Sequence, residues 1–547
     1  MDHFKKIFWL ALSLLIVLFP AQMQAQTAIQ TNVPALKVVY ANDFNFGYIL
    51  SYPHIGFSTD PYVSGQGSVV APQGGNLVKF HANSMTPGNN MKSIYTIDIS
   101  ASAKAFQAAT TQAAKDSIET HPVLKFNGNL IAQLNWAKRQ GFTFRGHTLV
   151  WHSQSPAEFF RSGYTATGTR LTKEVMTLRM ENYIKEVIRL LHQNWPGLLS
   201  AMDVVNEAIS DSNGAFRTSG NEWYTTFGDQ TYILKAFELA RKYTIQYGET
   251  QMKLYYNDYN TSSASKADGI VKLCKPIFDA GYLDGIGMQE HNSMTSPTAS
   301  SWISAYNKYY PICSEMAVTE LDVTTSSGTN TPSAAILTTQ ANQYAMLFKC
   351  FVERSYKSGR GKIISVTKDG LNDQYTFVTN QSSSLWDVNN QCKPAFYAVA
   401  NVGIYYNRLD SLIAATQKLN SGNYSTQMWQ NITTALNSAK SSLSQNYSAS
   451  SSAVTGLSNA IANLKKALIT YPTQVNELRD KISVHTFCGT IHINNLSKGA
   501  QIAVYGLNGA LLHSVRASSS NISVPYTVPC IVRAVDGKDM FTRKIIQ

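Results

Sequence analysis

Glu207 in DVVNEAISD and Glu320 in VTELDV are the two side chains best suited to do chemistry. Each carboxyl closes an apolar run. A pair of carboxyls can cleave a glycosidic bond: one, protonated, assists the departing oxygen. The other attacks the anomeric carbon and forms a glycosyl-enzyme, which needs the two about 5–5.5 Å apart. Asn206, beside Glu207, adds an amide able to hold the sugar 2-hydroxyl, a contact that strengthens in the transition state.

Residues so distant in sequence need a scaffold that gathers strand ends. From about 36 to 407, short apolar runs alternate with helical patterns. The candidate strands are NFGYILS (45–51), LVKFHANSMT (77–86), FTFRGHTLVWH (142–152), AMDVVNE (201–207), MKLYYND (252–258), DGIGMQEH (284–291), EMAVTELDV (315–323) and IISVTKD (363–369). Segments such as GNLIAQLNWAKRQG (128–141) lie between them with helical spacing. Eight strands alternating with helices predict an α/β fold of the (β/α)8, or TIM-barrel, type. The alternative, a doubly wound sheet, has no Gly-rich phosphate loop to support it. The later strands end in polar, ionisable or aromatic residues: His147 to His152, Asn206–Glu207, Asn257–Asp258, Gln289 to His291, Glu320 to Asp322. Active sites of such barrels form at these C-terminal strand ends, which places Glu207 on the fourth strand and Glu320 on the seventh.

At 547 residues and 44% hydrophobic content, the chain is too long for one ordinary domain. After the barrel, 409–470 carries helical periodicity with Ser/Asn-rich breaks and reads as a small three-helix module. From 474 to 547 the alternation is that of strands with Gly/Asn turns, a small all-β domain. Residues 1–25 read as a signal peptide: Lys5 and Lys6 precede the apolar run Ile7–Phe19, and Ala25 suits a cleavage point. That run is shorter than an ordinary membrane span, and no other is longer, so no stable membrane insertion is expected. The net charge of +12 is spread without a Lys/Arg run or nucleic-acid motif, so nucleic acid is not the expected partner. Cysteines 274, 313, 350, 392, 488 and 530 form no CxxC or Cys/His pattern. No metal is expected, and the carboxylate chemistry requires no organic cofactor.

In series, RGHTLVWHSQSP, DVVNEAISD, LYYNDYN, DGIGMQEH, TELDV and KPAFYAV resemble glycoside hydrolase family 10, whose main activity is endo-1,4-β-xylanase. The resemblance covers roughly 45 to 405. It implies Glu207 as acid/base, Glu320 as nucleophile and Asn206 as the 2-hydroxyl contact. It matches His291 to the histidine bonding the nucleophile, with Gln289 beside it. His147 and Trp151 match groups lining the −1 sugar site. In TPGNNMK, Asn89 matches a −2 contact and Lys92 a −1 contact. Asp322 is expected to orient the site, and Asp203 and Asp258 to be structural. The implied substrate is a xylan-type polysaccharide, cleaved by a secreted, cell-surface or periplasmic bacterial enzyme. The helical module resembles FIVAR-type modules. AQIAVYGLNGALL with the terminal KIIQ resembles type IX secretion sorting domains, which implies the secretion machinery as a partner.

Five residues depart from the family. Gly88 stands where a Glu is usual, Met202 where a Trp is usual, and Lys368–Asp369 where the eighth strand ends in a Trp-containing aromatic pair. Phe377 takes the place of a second Trp. Losing a sugar-stacking aromatic costs about 1–2 kcal/mol of contact. Two further readings follow: a weak or inactive xylan-binding protein on the same barrel, or a hydrolase for decorated xylan whose side chain fills the vacated space.

Overall fold

The computed structural model describes residues 28–55, 73–355, 360–444, 451–469, 482–487, 490–506, 510–525, 529–536 and 539–545. The expected signal peptide lies outside them.

Eight parallel strands form the barrel: β1 (Asn45–Leu50), β2 (Ser84–Pro87), β3 (Thr143–Trp151), β4 (Leu199–Asn206), β5 (Lys253–Asp258), β6 (Gly285–Met288), β7 (Glu315–Thr324) and β8 (Lys362–Asp369). Each pairs with its sequence neighbour. The pairing of β1 with β8 closes the ring. A short strand, His291–Ser293, runs parallel beside the end of β7. Strands covered on both faces become nearly continuous apolar runs. In β4 only Ser200 is less than fully buried.

Helices pack around the barrel through one apolar stripe each. In Lys173–Asn194, Met176, Met180, Tyr183, Ile184, Val187, Ile188 and Leu191 are buried, at the three- and four-residue spacing of one helix face. Thr172 caps its start by accepting from the Val175 N–H. Gly128–Gln140 is capped by Asn127 and stops at Gly141, whose φ of 68° is the left-handed conformation favoured after a helix.

One expected strand is corrected. The run 77–86 is not a strand throughout: Gly74–His81 is a helix, and only Ser84–Pro87 joins the sheet. Leu77, Val78 and His81 share the buried helix face, and short apolar runs do not distinguish the two periods. Gly74 and Gly75 decide the matter, since a Cβ on either would lie 1.9 Å and 2.1 Å from the carbonyl oxygens of His54 and Ile55 respectively.

Three helices follow the barrel, Arg408–Gln417, Thr426–Ser444 and Ser451–Ile469. Among the described residues, the C-terminal region is all-β, with sheets of three and four strands. Their inner faces share a core that includes Ile491, Ile493, Ile502, Val504 and Val532. Cys274, Cys313, Cys350, Cys392 and Cys530 are free thiols; Cys488 lies outside the described residues.

Candidate active site

The C-terminal ends of the barrel strands open into a cleft of about 500 Å³, lined by Glu207 and Glu320 together with Asn89, Lys92, His147, Trp151, Gln289 and His291. Eight of the nine expected site residues thus line one cavity. The ninth, Asn206, is buried directly beneath.

Glu207 follows the last residue of β4 and has a φ of 54°, a left-handed conformation that costs a non-glycine residue about 1–3 kcal/mol. Its neighbours hold it there. Its N–H donates to the Asn257 carbonyl at 2.9 Å, and Arg217 Nε donates to its carbonyl at 3.0 Å. Tyr256 Oη accepts from the next N–H, that of Ala208, at 3.0 Å. Each carboxyl oxygen accepts one bond: Oε2 from Trp151 Nε1 at 2.8 Å, Oε1 from Gln289 Nε2 at 2.9 Å.

Glu320, on β7, accepts from Asn257 Nδ2 at 2.9 Å through Oε1, and its Oε2 is 3.4 Å from His291 Nε2. Burial acts to raise its pKa, but the His291 bond, the proximity of His147 and the Asn257 amide outweigh it and hold the carboxyl at about 2. His291 Nδ1 is 3.2 Å from Asp322 Oδ2. Burial disfavours the charged imidazole, yet Asp322 and Glu320 raise its pKa well above the ordinary value. Each ring nitrogen thus faces a carboxylate, Nε2 that of Glu320 and Nδ1 that of Asp322.

Buried amides join the two carboxyls. Asn257 Nδ2 also reaches Asn206 Oδ1 at 3.0 Å, and Gln289 Nε2 reaches the same oxygen at 3.3 Å. Thr319 Oγ1 fixes the Asn257 orientation by donating to Oδ1 at 2.7 Å. Asn257 is a site residue the sequence reading did not assign. Its signal was its place in LYYND, at a strand end like Asn206.

On the next layer, Asp203 accepts from His147 Nδ1 at 2.9 Å and from Arg145 Nε at 3.1 Å. That bond orients the ring and leaves Nε2 for the cleft. Lys92 donates to Asn89 Oδ1 at 2.7 Å, and its Nζ lies 4.5 Å from the Trp151 ring centre. Burial lowers its pKa, opposed by Glu320, Glu207 and Asp369. Asp258 is fully buried beside Lys266, 2.9 Å away.

Three of the departures, Gly88, Asp369 and Phe377, fall at this cleft, while Met202 is buried in β4 and is not part of its lining. Lys368 is buried and its Nζ donates to the backbone carbonyl of Asp369. Phe377 stays 62% exposed, edge-on to His291 at 4.9 Å.

A closed parallel barrel with two carboxyls at the mouth, tied together by buried amides, is built as a carbohydrate-cleaving hydrolase. The chain belongs to glycosyl hydrolase family 10, whose sequence model matches residues 38–402, well over half its length. Endo-1,4-β-xylanase Y of Acetivibrio thermocellus is 33% identical over 69% of this chain, and the match spans 33% of that longer protein. A putative endo-1,4-β-xylanase of Caldicellulosiruptor saccharolyticus is 33% identical over 54% of this chain and 94% of its own length. Among solved structures, the N-terminal endo-1,4-β-D-xylanase 10B of Clostridium thermocellum, complexed with xylohexaose, superposes with a TM-score of 0.57 at 31% identity. That match covers 69% of this chain and 68% of the other.

Proposed function

We propose that the chain is an exported, retaining endo-1,4-β-xylanase that cleaves internal bonds of xylan or arabinoxylan. Glu207 is the acid/base and Glu320 the nucleophile. Asn206 holds the 2-hydroxyl. Lys92, Asn89, His147, Trp151 and Gln289 position the sugars. The observation that carries this is the unlike treatment of the two carboxyls. Glu320 is kept ionised by His291 and Asn257, as a nucleophile requires. Glu207 is held at the rim of the same cleft by Trp151 and Gln289. The xylanase relatives support the substrate class. The motif at 1–25 supports export, and the strands at the C-terminus are compatible with a sorting domain. With these we propose the division into a barrel at 36–407, a helical module at 409–470 and a β domain at 474–547.

Product analysis on linear xylan tests the activity. Short xylo-oligosaccharides are expected from the wild type and none from Glu207→Ala or Glu320→Ala. Wild-type rates in both variants would refute the assignment.

A further inference from the structure

Strand β8 delivers to the cleft a carboxyl that the proposed mechanism does not use. Asp369 lines the cavity, half-buried, and ligand-capable atoms of Asp369, Glu320 and His291 all lie within 4.8 Å of one another. Its register is fixed on one side by pairing with Ile49 of β1. Beneath it, Lys368 is buried and donates to its backbone carbonyl, so the ammonium secures the main chain and leaves the side chain free. Among the described residues, the Asp369 carboxyl makes no hydrogen bond and no ion pair. Burial pushes its pKa up, with Asp322 and Glu320 adding to the effect and His291 and Lys368 opposing it.

A carboxyl in this position cannot stack on a sugar ring as an aromatic would; it can only accept from, or share a proton with, a hydroxyl. A substrate that covers it without supplying a hydroxyl leaves it desolvated and unpaired, and such sites discriminate strongly against analogues lacking the group. Asp369 and Glu320 are adjacent carboxyls, and the neighbouring His291 is already engaged by Glu320 and Asp322, which favours a neutral polyol over a uronate. Phe377 is exposed and lines the same cleft.

We propose that Asp369 is a specificity-determining residue that accepts a hydrogen bond from a neutral hydroxyl-bearing substituent on the sugar bound beside Glu320. This rests on the xylanase reading above. Two substituents carry that chemistry: an arabinofuranosyl branch on a xylose, or the hydroxymethyl of a hexose in a β-1,4-glucan.

The test compares wild type, Asp369→Ala and Asp369→Asn on linear xylohexaose, an arabinofuranosyl-branched xylo-oligosaccharide and cellohexaose. The ratio of kcat/KM for the substituted substrate over xylohexaose is expected to fall about tenfold or more in Asp369→Ala. Asp369→Asn, which keeps an acceptor oxygen, should retain most of it. The arm that responds identifies the substituent. Unchanged ratios in both arms, including an equal loss on all three substrates, would overturn the proposal. Calorimetric affinities for the same sugars, measured in a Glu320→Ala background with and without Asp369→Ala, read the preference without turnover. A wild type that hydrolyses nothing would therefore refute the xylanase reading while leaving the role of Asp369 to be decided by the affinity ratio.

Discussion

His291 bridges Glu320 and Asp322, its Nε2 3.4 Å from one carboxylate and its Nδ1 3.2 Å from the other. The two carboxylates favour the charged imidazole, which in turn favours the ionised form of the proposed nucleophile. Removing the ring deletes the strongest influence holding Glu320 ionised against burial. In His291→Ala, the acid limb of the kcat/KM profile is expected to move up by about one pH unit, the size of a charge-assisted hydrogen bond. An unmoved acid limb would mean that Glu320 owes its ionisation to other groups.

The same pair sets a stability window. The Glu320 pKa is depressed on folding, so its contribution is present above the unfolded value, near 4.3, and is lost as pH falls through about 2. The His291 pKa is raised, so its contribution is complete below its unfolded value, near 6.5, and is lost as pH rises through its higher folded value. Both act together between about pH 4.5 and 6.5. Denaturant unfolding across pH should show Glu320→Gln with a shallower loss of stability below pH 4 than the wild type. Parallel curves would show that other carboxylates dominate acid unfolding.

Asn257 supplies one amide to both Glu320 and Asn206. Truncation to Ala should lower kcat by about 10–100-fold, because two polar partners lose a preorganised donor at once. Thermal unfolding of the variant checks that the loss is catalytic. A kcat within twofold of wild type would remove Asn257 from the site.

Asp203 lies beneath His147 and beside Arg145, which is 5% exposed. Asp203→Ala strands a buried guanidinium. It should cost about 3–5 kcal/mol of stability, measured by urea unfolding. A cost below about 1 kcal/mol would mean that Arg145 finds another partner.

What could be read from sequence, and what could not, follows from the range of the interactions. The barrel strands were legible because both faces are buried and the chain responds with apolar runs. Their polar ends were legible because water, substrate or other charges must meet them there. The segment 77–86 misled because its helix is short and is decided by two glycines packing on the His54 and Ile55 carbonyls, a contact invisible in the local pattern. Asn257 went unassigned because its importance lies in reaching residues 51 and 63 positions away. Lys368 and Asp369 were legible as an anomaly only. That one is buried as a backbone clamp and the other opens to the cleft depends on the register of β8 between β1 and β7.

The most direct test of Glu320 as the nucleophile of a retaining enzyme is intact-protein and peptide mass spectrometry after treatment with a 2-deoxy-2-fluoro-xylobioside bearing an activated leaving group. One glycosyl adduct per chain is expected, mapped to the peptide containing Glu320 and absent in Glu320→Ala. Turnover of xylan without any adduct, or an adduct on another carboxylate, would contradict the assignment.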